Sequence, residues 1–128
     1  MATEDYDRGL ALRKEVLGAD YVERSFANAD DFSRPMQQLS TEYCWGKVWG
    51  RDGLSRRDRS LLNIGMISAL NRPHELKLHV KAALTIGLSR DEIREALLQV
   101  AIYCGIPAGL DSTRIAREAF EELDAAGG

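Results

Sequence analysis

One short segment carries a carboxylate and an imidazole at a spacing that suits proton transfer. Glu75 and His79 are four residues apart, so on one helix they lie on neighbouring turns of the same face. A carboxylate beside a histidine raises the pKa of the imidazole and fixes its orientation. We therefore expect His79, oriented by Glu75, to donate a proton near neutral pH.

Guanidinium and indole groups lie near this segment in the sequence. Guanidinium groups bind carboxylates through paired hydrogen bonds, and they suit an anionic ligand beside aromatic rings. The candidate ligand-binding residues are Arg51, Arg56, Arg59, Arg72 and Trp45. Together with the carboxylate and the imidazole, these residue types indicate a site for a small anion.

Each of these residues also has a structural interpretation. A glutamate in the first turn of a helix often satisfies unpaired backbone amides, and a lone histidine on an apolar face is more often a hydrogen-bonded core residue. Arg56 and Arg59 share a helix face and can simply pair with acidic side chains. Trp45 and Trp49, at helical spacing, are more often core residues than parts of a ligand site. Spacing alone leaves these alternatives open.

The composition indicates one globular domain over residues 1–128. The chain is 45% hydrophobic, and its 17 basic and 20 acidic side chains give a net charge of −3. It has no basic excess or basic stripe, which argues against nucleic acid as a partner. The acidic N-terminus lacks the apolar core of a signal peptide, and the longest apolar run, Leu61 to Leu70, is half a membrane span. We expect no membrane partner and a cytoplasmic location.

The cysteines and histidines form no metal-binding motif. Cys44 and Cys104 stand alone and far apart, so we expect two buried thiols that pack as small hydrophobic groups. Tyr103, at the end of an apolar stripe, is also predicted to pack in the core. Because no metal-ligand cluster or glycine-rich phosphate loop is found, the sequence predicts no metal and no cofactor.

Hydrophobic periodicity predicts helices along the whole chain and almost no strand-like alternation. Capping signals place the boundaries: Gly18, Gly87 and Gly105 end helices, Pro73 begins one, and Ser89-Arg90-Asp91-Glu92 forms a capping box. A frayed tail is expected after about residue 123. The predicted helices cover about residues 10–17, 21–26, 30–49, 56–70, 73–87, 90–104 and 107–123. The fold class is therefore all-α, with about six to seven helices.

The helix predicted over 73–87 places Glu75 and His79 close together. At about 100° per residue, the two side chains lie about 40° apart within the apolar arc of the helix. Lys77 and Lys81 fall on the opposite face. We therefore expect Glu75 and His79 on the buried side and both lysines in water.

Several spaced motifs follow one another in a specific order. They are Gly9-x-x-x-Arg13-x-Glu15-Val16-Leu17-Gly18, Trp45-Gly46-x-x-Trp49-x-Arg51-x-Gly53-Leu54, Arg59-Ser60-Leu61, Ala69-Leu70-x-Arg72-x-x-Glu75-Leu76-x-x-His79 and Tyr103-x-Gly105-x-Pro107-Ala108. In this order they resemble the carboxymuconolactone decarboxylase family. The resemblance implies a single-domain helical bundle of the alkyl hydroperoxidase D-like type. It also implies a homo-oligomer, commonly a hexamer built as a trimer of dimers.

The resemblance implies a chemistry as well. A family member of this kind decarboxylates 4-carboxymuconolactone, a small anionic lactone of protocatechuate breakdown, to 3-oxoadipate enol-lactone. The substrate is its own electron sink, so no cofactor is implied. By this resemblance His79, oriented by Glu75, donates the proton. The substrate carboxylates would be held by Arg72 with one or more of Arg51, Arg56 and Arg59, and Trp45 would form an apolar wall.

Alternatives remain beside this interpretation. Peroxidase-type relatives carry a thiol pair at the positions of Arg72 and Glu75, so a redox role here would depend on Cys44 and Cys104 instead. Asp111 stands in a segment where the decarboxylases usually carry small residues and asparagine, which favours a family member acting on a different lactone or β-keto acid. A noncatalytic oligomeric binding module is the last alternative.

Overall fold

The structure, a computed structural model, describes residues 3–127, and every regular element in that range is helical. The elements are α1 (Glu4–Leu17), α2 (Ala19–Ala27), α3 (Arg34–Leu39), a π-helical segment (Ser40–Val48), α4 (Arg56–Leu70), α5 (Pro73–Ile86), α6 (Arg90–Cys104) and α7 (Ile106–Gly127). The prediction of an all-α protein with about six to seven helices is confirmed. None of the helices within residues 3–127 is both long and apolar enough to cross a bilayer.

The chain divides into two compact units. The N-terminal unit comprises residues 1–55 and the C-terminal unit residues 56–128, within the limits of the described residues. Each unit is described by itself below. The assignment of residues 1–128 to a single domain stays a prediction.

Two glycines shape the N-terminal unit. Gly9 on α1 and Gly46 on the π-helical segment are both buried, and a Cβ atom at either position would clash with backbone of the other element. At Gly9 it would meet the carbonyl oxygen of Thr41, and at Gly46 that of Asp5. The absence of side chains at these two positions therefore allows α1 and the π-helical segment to pack backbone against backbone.

The single helix predicted over 30–49 consists of a turn and two helical parts. Asp30 and Ser33 exchange side-chain-to-backbone hydrogen bonds of 2.9 and 3.0 Å, so α3 begins only at Arg34. Pro35 is tolerated in its first turn, as predicted. From Ser40 the helix widens: the Trp49 amide donates to the Cys44 carbonyl, five residues back, at 3.0 Å.

The C-terminal unit packs α4 to α7 around one apolar cluster. Its buried members come from all four helices and from the α5–α6 connection. They are Ile64, Leu76, Val80, Ala83, Leu88, Ile93, Leu97, Ile115, Ala116 and Ala119. This cluster provides the rigid support on which the α5 side chains are held.

The helix ends in this unit follow the predicted signals. Arg72 is the N-cap of α5 and Pro73 its first residue, as predicted. Gly87 ends α5 in the left-handed conformation (φ 116°), which a residue with a side chain rarely adopts. Ser89 and Glu92 form both hydrogen bonds of the capping box that opens α6.

Three local predictions were wrong. Helix α7 continues to Gly127, so residues 125–127 of the expected frayed tail are helical, and Gly128 lies outside the described residues. Tyr103 is 81% exposed, because the covered face of α6 ends before its last turn. Cys44 and Cys104 are also exposed residues with free thiols, although burial raises the pKa of the Cys44 thiol.

Candidate functional site

His79 lies in the middle of α5 and is partly buried. Its neighbours Leu76 and Val80 belong to the apolar cluster and are 2% and 0% exposed. Burial disfavours the imidazolium and lowers the pKa of His79 from 6.5 to about 4. The expectation of a raised pKa was wrong, because burial is the influence that sets the pKa of this imidazole. His79 is therefore neutral at pH 7.

Glu75 lies in the first turn of α5, and its side chain is 54% exposed. Its Oε2 atom is 3.7 Å from the Nε2 atom of His74, which is itself 77% exposed. The prediction that Glu75 faces the buried side was wrong, although the next residue, Leu76, packs in the apolar cluster. Its role in orienting His79 stays a prediction.

The lysine face of α5 is paired with acidic side chains of α7. Lys77 Nζ lies 2.7 Å from one carboxylate oxygen of Glu122 and 3.3 Å from Glu118, and Lys81 Nζ lies 2.8 Å from the other oxygen of Glu122. Hydrogen bonds from the two ammonium groups lower the pKa of Glu122 to about 2. The helical angles alone suggested that both lysines extend into water. Instead, the lysines connect α5 to α7 through ion pairs.

Three of the predicted arginines lie in the same unit as His79. Arg72 is exposed and precedes α5, about 10 Å along the helix axis from His79. Arg56, which is exposed, and Arg59, which is partly buried, lie in the first turn of α4. The structure thus places Glu75 and His79 on the first two turns of α5 and Arg72 immediately before it. Arg56 and Arg59 lie on α4, the preceding helix.

The other predicted site residues belong to the N-terminal unit. Trp45 and Trp49 are 3% and 6% exposed, and their rings stack with centroids 4.7 Å apart at an interplanar angle of 27°. This is the core packing given above as the structural alternative. Arg51 is exposed just beyond the π-helical segment. A ligand-binding role for Trp45 and Arg51 stays a prediction.

Arg13 is a buried polar residue that was not among the predicted site residues. The buried residues of α1 are Gly9, Leu12, Arg13 and Val16, at spacings of three and four. Arg13 is only 6% exposed. The signal was present in the sequence, because an arginine occupies a position of the apolar stripe that normally takes a hydrophobic side chain.

The described residues contain no cluster of three or more His, Cys, Asp or Glu side chains that could hold a metal ion. The predicted site residues in the C-terminal unit are thus a neutral imidazole, an exposed carboxylate and three guanidinium groups. Such a set can bind an anion and transfer a proton.

Comparison with known proteins identifies the family. The model of the carboxymuconolactone decarboxylase family matches residues 34–118, which include α3 to α6 and more than half of α7. The chain belongs to this family. The match covers every predicted site residue, whereas Arg13 lies before it.

Two curated relatives of the family extend the similarity over most of the chain. One is a nitrosuccinic acid decarboxylase of Metarhizium robertsii, 42% identical over 92% of this chain and 82% of its own. Another is a 4-carboxymuconolactone decarboxylase of Acinetobacter baylyi, 40% identical over 92% of this chain and 88% of its own. Family membership and the names of these relatives support a carboxy-lyase.

Proposed function

We propose that the protein decarboxylates 4-carboxymuconolactone to 3-oxoadipate enol-lactone, without a cofactor, in the 3-oxoadipate pathway of protocatechuate breakdown. The observation that carries this proposal is the 40% identity to a decarboxylase of that name over 92% of the chain. A homo-oligomer, a hexamer built as a trimer of dimers, and a cytoplasmic location belong to the same proposal.

The substrate explains why the site needs few groups. When carbon dioxide leaves, the electron pair of the broken bond moves through the ring double bond onto the lactone carbonyl. A proton then adds to the carbon beside that carbonyl and gives the enol-lactone. The protein has to hold the remaining carboxylate, stabilise the negative oxygen and supply the proton. Arg72, with Arg51, Arg56 or Arg59, would hold carboxylates, and Trp45 would form an apolar wall.

His79 is the proposed proton donor, and its low pKa implies when it is protonated. In the unliganded protein it is neutral, because its pKa is about 4. A carboxylate placed about 4 Å from the imidazole stabilises the imidazolium by about 4 kcal/mol at the effective dielectric constant of a protein surface. The substrate carries two carboxylates. Its binding would therefore load His79 with the proton that the reaction later needs, while Glu75 orients the ring.

A second candidate substrate is nitrosuccinic acid, which the 42% identity to a nitrosuccinic acid decarboxylase favours. It is also a dicarboxylic acid with an internal electron sink, because its nitro group can accept the electron pair left by carbon dioxide. Both reactions thus present the protein with a dianion that becomes a delocalised carbanion and takes a proton on carbon. The same imidazole and arginines would serve either one.

The test is a direct assay of the purified protein with both acids, measuring carbon dioxide release. Wild-type protein is expected to turn over 4-carboxymuconolactone, and His79→Gln to lose about 10²- to 10⁴-fold in kcat, the usual contribution of a general acid. His74→Gln is the matched control, because His74 is an exposed imidazole on the same helix. Turnover of nitrosuccinic acid alone would favour the second substrate, and turnover of neither would refute the proposal. Full activity of His79→Gln would refute the role of His79.

A further inference from the structure

Arg13 is enclosed within the N-terminal unit and held in one orientation. Its Nη1 atom donates to the Thr41 hydroxyl oxygen at 3.1 Å, and that hydroxyl donates to the Gln37 carbonyl oxygen at 2.8 Å. The guanidinium carbon lies 5.6 Å from the centroid of the Phe26 ring. Thr41 is itself fully buried, so the chain of hydrogen bonds fixes the plane of the guanidinium.

The charge of Arg13 has no carboxylate to balance it among residues 3–127, since none of the ion pairs there includes it. Burial lowers the pKa of Arg13, against the stabilising influence of Tyr21, Cys44 and Tyr6. None of these three side chains is a carboxylate, whereas an arginine in a protein remains charged. An enclosed cation without a counter-ion is costly, by several kcal/mol.

One edge of the guanidinium has unused hydrogen-bonding capacity. Nη1 bonds to Thr41, but Nε is buried and has no acceptor in the part of the chain that the structure describes. Buried polar atoms normally have partners, so the unpaired Nε–H of Arg13 indicates a missing acceptor.

We propose that the Nε–Nη2 edge of Arg13 is a binding site for the carboxylate of a small organic acid. The two N–H groups of this edge point in parallel and match the two oxygens of a carboxylate. A bound carboxylate would balance the enclosed charge and give Nε its acceptor. The site belongs to α1 and the π-helical segment, and its occupancy does not require that the acid be a substrate.

The experiment uses the full chain and succinate, a stable dicarboxylate, with sodium chloride of matched ionic strength as the control. The Nε–H resonance of Arg13, assigned by its absence from Arg13→Lys, is expected to shift with succinate and not with chloride. If a water molecule accepts the hydrogen bond from Nε–H instead, succinate leaves the resonance unchanged. That result would overturn the proposal. An equal shift with both salts would overturn it too.

Affinity measurements on variants give a second, separate test. Arg13→Lys keeps the positive charge but loses the paired donors, and it is expected to weaken succinate binding about tenfold or more, since hydrogen bonds to charged groups contribute strongly. Arg24→Lys is the matched control, because Arg24 is an exposed arginine on α2 of the same unit. Equal affinities of the two variants would refute the site.

If Arg13→Lys does not fold, the Nε–H resonance of Arg13 in the wild-type protein is assigned by sequential correlation, and its response to succinate is the test. Neither readout uses decarboxylation, so failure of the proposed reaction and failure of this site are distinguishable.

Discussion

His79 provides a direct test of how burial controls the chemistry of α5. Its pKa falls from 6.5 in an unfolded chain to about 4 in the folded protein. Between these two values the unfolded chain binds the proton more readily, so the protein loses stability as the pH falls. The full effect is about 3 kcal/mol by pH 4, with about 2 kcal/mol already lost at pH 5. Well above pH 6.5, where neither state binds the proton, the histidine contributes no pH dependence.

The perturbation is His79→Gln, which keeps a polar side chain but cannot titrate. Urea unfolding measured at intervals from pH 7 to pH 4 gives the free energy of unfolding of each protein. We expect the wild-type value to fall more than that of His79→Gln, and the difference between the two to change by about 3 kcal/mol over this range. His74→Gln, which removes the other histidine, 77% exposed, is the control.

Two results would contradict this reasoning. The first is a pH dependence of His79→Gln that equals that of the wild-type protein. The second comes from the imidazole resonances, since the chain has 2 histidines and each variant assigns one of them. A His79 resonance that titrates at pH 6.5 or above would show that a charge partner, such as the predicted Glu75, outweighs burial.

The remaining predictions concern packing and ion pairs. Gly46→Ala is expected to destabilise the protein by about 1–3 kcal/mol in urea unfolding, because the new methyl group meets the backbone of Asp5. Gly53→Ala is the control, since a methyl group at Gly53 meets no atom within 4 Å. Equal losses of stability in the two variants would refute the close approach of α1 and the π-helical segment. Glu122→Gln is expected to remove a stability contribution that the wild-type protein has above pH 4.5 and loses as the pH falls toward 2, since the pKa of Glu122 is lowered to about 2. If the free energies of unfolding of the wild-type protein and Glu122→Gln change in parallel from pH 5 to pH 2, the pairing of Glu122 with Lys77 and Lys81 is contradicted.

Helix boundaries with a strong local cause were accessible from the sequence. Pro73 begins α5, Gly87 ends it, and the Ser89–Glu92 box opens α6, all as predicted. These signals act through the backbone of a few adjacent residues, so they need no tertiary information. The turn at Asp30–Ser33 was missed because its hydrogen bonds compete locally with a helix that the hydrophobic pattern also allows.

The exposure of individual side chains was predicted less well. The helical angles of α5 placed Glu75 in the apolar arc, but an angle does not tell which turns of a helix are covered by its neighbours. The same limitation applies to Tyr103 and Cys104, which continue an apolar stripe beyond the packed part of α6. Arg13 shows the converse, since it is a charged residue and it is buried.

The sequence by itself determined the all-α fold class, most helix limits in the C-terminal unit and the family to which the chain belongs. These follow from local backbone preferences and from the order of short motifs. Only the tertiary structure decided the protonation of His79, the pairing of Lys77 and Lys81 with α7, and the enclosure of Arg13. A pKa and an ion pair depend on which solvent and which charges surround a group in space, and spacing along a helix does not specify either.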